Sequence, residues 1–368
     1  GLYYALKNQP DPHPLTKSLA GHEKGAARAL VTREVSNHIY SGGSDGKIIQ
    51  WNYSNDGWVA NELVPDRSRT ETPYQVYSMD VSPDGNWLVA GGLLFAEAAN
   101  NYVELYDLKN STTPGKKIYG YTQAIENISF TPDGKGFYAR DNSGRSIKYS
   151  DLSTAKEVIA SKVKIIAIDL SADGKKLAGV GDDGNLYLWD VNNNFAASVY
   201  KMPDTRLTAV TFHPNGTQVV VGNERGRIWL TQSGTVVREL AGHNSSIEQI
   251  KYNHAGTFMA TASKDYSIRL WNVNRLNQAP TLLSEHDWVW SVTFSPDDEQ
   301  LVAGIHSVQE TTVGKVDQTI HAYPTDVKKM AELLCSYTKR NMSKEEWDTY
   351  ANNLDYEKTC ANLPANNK

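Results

Sequence analysis

Cysteine is almost absent: the 368 residues contain two, Cys335 and Cys360, both close to the C-terminal end. A disulfide framework would need more of them, spread through the chain, so the bulk of the fold must be held by other means. Long apolar runs are missing too. No stretch approaches the roughly 18–20 residues that a membrane span requires, and the opening segment GLYYALKNQP lacks the apolar run of a secretory leader. No membrane partner is expected, and the cytoplasm is the default compartment, with the periplasm and the exterior left open. Charge is dilute: a formal net charge of −5, 21% charged residues and no long block of either sign. That excludes a general binder of nucleic-acid phosphates. A G-x-S-x-G nucleophile elbow, an H-E-x-x-H pair and paired Cys/His spacings are all missing, so neither a catalytic centre, a metal site nor a cofactor is expected.

What the chain has is a repeat. A turn of the type Ser-Pro-Asp-Gly recurs as VSPDG (81–85), FTPDG (130–134), LSADG (170–174), FHPNG (212–216) and FSPDD (294–298), with a weaker copy YNHAG at 252–256. Proline presets the first turn position, Asp or Asn caps its own turn, and Gly takes a positive φ, so each copy reads as a hairpin between two strands. A further strand follows each hairpin and ends on an aromatic: Trp51, Tyr106, Tyr149, Trp189, the region of Trp229, Trp271 and Tyr323. The unit returns about every 40–50 residues, seven times, and its period-two alternation marks half-buried antiparallel strands whose apolar faces need partner sheets.

These repeats resemble the WD-repeat family, from about Leu15 to Tyr323. The resemblance implies an all-β, seven-bladed propeller with a small C-terminal α-helical tail. It also implies a buried hydrogen-bonded tetrad per blade, which carries over in full to two blades: His22, Ser41, Asp45, Trp51 and His243, Thr261, Asp265, Trp271. Other blades keep fragments, such as Asp183 with Trp189, or His286 without the Trp. LTKSLAGH (15–22) mirrors VVRELAGH (236–243), so the N-terminal strand is expected to complete the last blade. The chain then divides into residues 1–14, a tail or the end of a preceding domain; 15–324, the propeller; and 325–368, the helical extension.

Two features admit a sharper reading and a plainer one. GVGDDG (179–184) matches a dinucleotide-binding G-x-G-x-x-G, but it leads into the strand NLYLWD instead of a helix and reads as a strand end plus a turn. His22, His243 and His286 read as structural histidines where each blade opens.

Departures from the repeat point to function. GGLLFAEAANN (91–101) and GIHSVQETTVGKVDQ (304–318) are longer than a hairpin needs, and they lie in the second and last blades, on either side of the first. In the resembling family that face usually takes the ligand. Aligning the innermost strands places Arg28, Tyr77, Glu126, Ile166, Thr208, Glu248 and Trp290 around the channel mouth. Arg28, Tyr77 and Trp290 share one sector, with Leu93, Leu94, Phe95 and Trp288 extending it; Trp, Tyr and Arg are the types that most often anchor interfaces. The plainer reading folds Leu93–Phe95 down as core and packs Trp290 beneath its loop.

After Tyr323 the pattern turns helical, with Val327, Met330, Leu333, Leu334 and Tyr337 on one face, and Ser343 with Glu346 makes a capping box for a second helix. Cys335 and Cys360 either join in a disulfide or pack reduced. This tail and the LYYAL start resemble the flanks of propellers in bacterial signalling ATPases or caspase-like proteins. The expectation is a non-catalytic, monomeric scaffold or sensor domain that binds a protein or peptide with one face. The alternatives are a propeller hydrolase or lyase with a site in the central channel, and a purely structural spacer.

Overall fold

The computed structural model describes residues 17–19, 21–22, 25–54, 57–95, 100–110, 115–307, 319–326, 328–330, 332, 335, 341, 360 and 363. Strands follow one another in antiparallel groups of four, giving six four-stranded sheets and a seventh in which the two ends of the chain meet. The innermost strands are Ala29–Thr32, Tyr74–Val81, Ile125–Phe130, Ile165–Leu170, Leu207–Phe212, Ile247–Tyr252 and Val289–Phe294. Each neighbours the next, and the last returns against the first. The ring is therefore closed: a seven-bladed β-propeller.

Closure uses the strand expected from the LAGH repeat. Lys17–Ser18 pairs antiparallel with the third strand of the last blade, Lys17 opposite Ala322 and Ser18 opposite His321. The N–H of Leu19 donates to Ile320 O at 2.9 Å. Leu19 itself is buried with Ile320, Ala322 and Trp51. An edge that would otherwise stand open is covered by the opposite end of the chain.

The turns behave as their residues dictate. Gly85 and Gly134 adopt φ of 76° and 68°, and Asp84 and Asp133 each accept the N–H two residues on at 3.0 Å. FSPDD has no glycine, and Asp298 takes the positive φ itself, at 61°. Its carboxylate reaches the preceding blade's hairpin, meeting His254 Nδ1 at 2.7 Å and accepting the Ala255 N–H at 2.9 Å. The residue that departs from the repeat is thus a clamp between two blades.

Blades are glued by apolar faces. Seven core clusters lie one in each gap between neighbours; Tyr40, Val76, Leu88 and Tyr102 fill the first, and Ala260, Leu270, Val292 and Tyr323 the gap between the sixth and the last. Next to the channel, inner-strand hydroxyls reach the following blade's carbonyls: Ser78 to Ile125 at 3.2 Å, Thr208 to Ile247 at 2.6 Å and Ser291 to Ala27 at 2.8 Å. Asp80 and Asp169 accept the N–H groups of Phe130 and Phe212, both at 2.7 Å. Each bond satisfies an inner-strand backbone group that has no second ladder partner on the channel side.

Both tetrads form. His22 Nδ1 meets Asp45 at 3.0 Å, its Nε2 meets Ser41 Oγ at 2.7 Å, and the Trp51 indole N–H donates to the same oxygen at 2.8 Å. The second repeats this, with 3.0, 2.7 and 3.1 Å between His243 and Asp265, His243 and Thr261, and Trp271 and Thr261. Asp183 is a turn residue that accepts the Asn185 N–H, and GVGDDG runs from the strand Lys176–Gly181 into that turn, as the plainer reading holds. In the fifth blade, register places Thr231, not Trp229, at the position of Trp271; Trp229 is fully buried in the gap behind.

The tail is described only in part. Residues 328–330 are helical, and Met330 is buried in the gap between the last two blades. Cys335 and Cys360 are joined, with Cα atoms 5.4 Å apart. The side chain of buried Asn341 holds the backbone of Cys360 at both N–H and carbonyl. Val327, Leu333, Leu334, Tyr337 and the second helix expected from Ser343 lie outside the described residues. No described helix is long and apolar enough to cross a membrane.

Candidate binding face at the channel mouth

The innermost strands converge, and near the start of six of them a β-bulge leaves one residue out of the ladder, while in the first blade the matching residue just precedes the strand. Arg28, Tyr77, Glu126, Ile166, Thr208, Glu248 and Trp290, aligned by repeat position, all line one cavity of about 230 Å³. One residue comes from each blade. They sit on the face opposite the Ser-Pro-Asp-Gly turns, because an antiparallel strand that ends at one face starts at the other.

Arg28 lies between two rings, its guanidinium carbon 3.8 Å from the Tyr77 centroid and 4.6 Å from that of Trp290. Lys264 approaches Trp288 and Trp290 at 5.1 and 5.7 Å and Glu248 at 3.7 Å. Trp288 packs edge-on to Trp290 and stacks on His306 at 5.5 Å, and His306 stands 3.4 Å from Asp287. Cations over aromatic faces gain about 0.5–2 kcal/mol each, more as water is excluded. The sector is therefore a pre-ordered stack, with Trp288 still 36% exposed at its outer edge.

Several polar groups across the channel are paired. Buried Arg140 donates to Glu126 at 3.0 Å and Asn127 at 2.7 Å. Burial pushes the Glu248 carboxyl above its ordinary value, with Lys264 and Arg28 pulling it back. Burial likewise raises Tyr77, against Arg28 beside it. The indole nitrogen of Trp290 is buried without a hydrogen-bond partner among the described residues, an unmet donor at the mouth of the cavity.

Not every expected residue belongs to the patch. The second strand of blade 2 runs on to Leu94, and Leu94 is buried beside Tyr74, Val76 and Tyr102; the extended alternation turns it inward. Phe95, just beyond, is 54% exposed on the rim outside the cavity. Residues 96–99 and 308–318 of the two long connections lie outside the described residues. Lys264, Arg140 and His306 were not singled out from sequence. Lys264 is a turn residue before Asp265, and the packing of the sixth blade against the last brings it beside Trp290.

His286 is displaced from its expected role. The residue equivalent to His243 in the last blade is Glu285: its N–H donates to Tyr266 O at 2.7 Å, as that of His243 donates to Gly226 O at 2.8 Å.

The family model described as "WD domain, G-beta repeat" matches residues 68–107, 156–190, 234–272 and 278–321. The chain is 26% identical over 325 residues to transcription factor unc-37 of Caenorhabditis elegans, covering 82% of this chain and 48% of that protein. It is 22% identical over 266 residues to the LST8 homolog of Drosophila melanogaster, covering 68% and 80%. To autophagy-related protein 16 of Arabidopsis thaliana it is 25% identical over 223 residues, covering 58% and 43%. The chain spans less than half the length of the first and last of these. With seven closed blades, two complete tetrads and four matched repeats, the chain is a seven-bladed β-propeller that carries WD repeats.

Proposed function

We propose that this propeller is a non-catalytic protein-interaction module, and that it recognises a protein or peptide at the sector of the channel mouth formed by the last, first and second blades. The observation that carries this reading is the stack of Tyr77, Arg28, Trp290 and Trp288, with its unmet indole N–H and partly exposed edge. Aromatic and Arg side chains already ordered before contact lose little freedom on binding, so more of the contact energy becomes affinity. Phe95 and Glu248 extend the contact set on the rim and inside the mouth.

Recognition is favoured over acid–base chemistry because the channel carboxylates are engaged. Glu126 is held by Arg140, Asp169 by the Phe212 N–H, and Glu248 by Lys264. The domain is taken to work as a monomer within a larger signalling or defence protein. The bacterial setting rests on the tail resemblance alone, and the relatives named above are eukaryotic. The bonded Cys335–Cys360 pair favours an oxidising compartment over the cytoplasmic default; counting free thiols in protein taken from its native source decides between them.

The test is selection of binding peptides from a displayed random library against the whole chain, followed by affinity measurement on an Arg28→Ala, Tyr77→Ala, Trp290→Ala variant with unchanged circular dichroism. Loss of about a hundredfold in affinity, the range of one to two hot-spot residues, supports the site. Peptides that bind both proteins equally refute it.

A further inference from the structure

The last blade rebuilds the tetrad line from other residues. Glu285 stands where His243 stands, Tyr323 where Trp271 stands and Ala303 where Thr261 stands, by strand register. Without the bridging hydroxyl, the carboxylate itself gathers the partners. Glu285 Oε1 accepts the Tyr323 hydroxyl, and His321 Nδ1 lies 2.9 Å from both carboxylate oxygens. His286 Nδ1 approaches Oε2 at 3.7 Å. The metal-ligating atoms of Glu285, His286 and His321 all fall within 4.8 Å of one another.

We propose that Glu285, His286 and His321 form a zinc(II)-class metal site. Two imidazoles and one carboxylate are a donor set this ion takes, and ligand atoms about 2.0–2.2 Å from the metal stand roughly 3–3.6 Å apart. Glu285 Oε2 already sits at 2.9 and 3.7 Å from the two nitrogens, so small side-chain rotations close the set. The Tyr323 bond to Oε1 turns Oε2 toward the histidines, the orienting role that outer hydrogen bonds play around metal ligands. The cation replaces the proton between His321 and the carboxylate, which compensates a charge on a side chain only 3% exposed. His286, 42% exposed, provides the way in from solvent and leaves a fourth position for water. Ser18 pairs with His321, so the ion fastens the seam where the two chain ends meet.

The experiment titrates zinc(II), and cobalt(II) as its spectroscopic substitute, into the untagged whole chain after chelator stripping and dialysis. Competition with a chromophoric chelator reads affinity, and thermal unfolding is followed in parallel. One equivalent binding in the micromolar range or tighter, with visible cobalt bands and a raised unfolding temperature, is expected. His286→Ala, compared with its own metal-free unfolding because His286 also pairs with Glu285, weakens binding by about tenfold or more, the least that loss of a ligand costs when outer-shell losses already cost that much. Glu285→Gln weakens it similarly. Absence of saturable micromolar binding overturns the site, as does binding that both variants retain undiminished.

Discussion

Ser41 is a one-carbon side chain with a hydroxyl on which a blade's polar line depends. Because Asp45 takes the His22 Nδ1 proton, Nε2 accepts the hydroxyl proton while the hydroxyl oxygen accepts the Trp51 indole N–H. Ser41→Ala strands a buried acceptor and a buried donor together, at about 1–3 kcal/mol for each; a denaturant midpoint lowered at unchanged m-value checks it. The second tetrad adds a pH dependence. Burial holds the His243 pKa below its ordinary 6.5. Burial also pushes Asp265 up, but hydrogen bonds from His243 and Ser267 outweigh it and hold the carboxyl well below the usual range. Both groups then bind protons more readily in the unfolded chain. Their contribution is complete above pH 6.5, declines first through His243 and declines again below about pH 4 as Asp265 is protonated. Unfolding temperature is expected to fall from pH 7 to pH 5, and less steeply in His243→Gln; equal slopes would remove His243 as the cause.

Strands matter by where they close. Lys17–Ser18 is only two residues long, yet it covers the outer edge of the last blade and brings Leu19 into the gap beside Trp51. Deleting residues 1–19 removes that cover along with a buried Leu worth about 1.5–3 kcal/mol. The truncated chain should unfold earlier and associate through the bared edge, which calorimetry and light scattering report. The LAGH repeat made this strand legible, since a motif preceding the first blade has only the last blade left to join. The tail was less legible. Helical periodicity placed Met330 on a packing face but could not name the gap that receives it. Closing the loop between Cys335 and Cys360, 25 positions apart, restricts the unfolded chain by about 3–4 kcal/mol. Cys335→Ser with Cys360→Ser should therefore free the tail to proteolysis before the propeller unfolds.

At the scale of the whole ring, seven gaps each hold one core cluster and every blade shares both faces with neighbours. Removing a clamp between blades is then felt by the ring. Asp298→Gly relieves a positive φ but loses the bonds to His254 and Ala255. Because hydrogen bonds to charged groups contribute about 1.5–3 kcal/mol each and the strain of a non-Gly residue at positive φ costs about 1–2 kcal/mol, a net loss of stability in thermal unfolding is expected.

Turn chemistry, strand alternation and aromatic strand ends are local signals, and they marked a hairpin-plus-strand unit that returns seven times; the WD-repeat resemblance those copies carry implied the seven-bladed ring and, by alignment, the residue of each innermost strand nearest the channel. A repeat puts equivalent positions in equivalent places, so alignment alone gathered Arg28, Tyr77 and Trp290. Tertiary structure decided what depends on distances across gaps: Leu94 in the core instead of the patch, Lys264 beside Trp290, and Glu285 where a tetrad histidine was read at His286. Glu285 and His321 are 36 residues apart, and no spacing rule joins them. Only the return of a strand across its blade brings a carboxylate and two imidazoles within reach of one another.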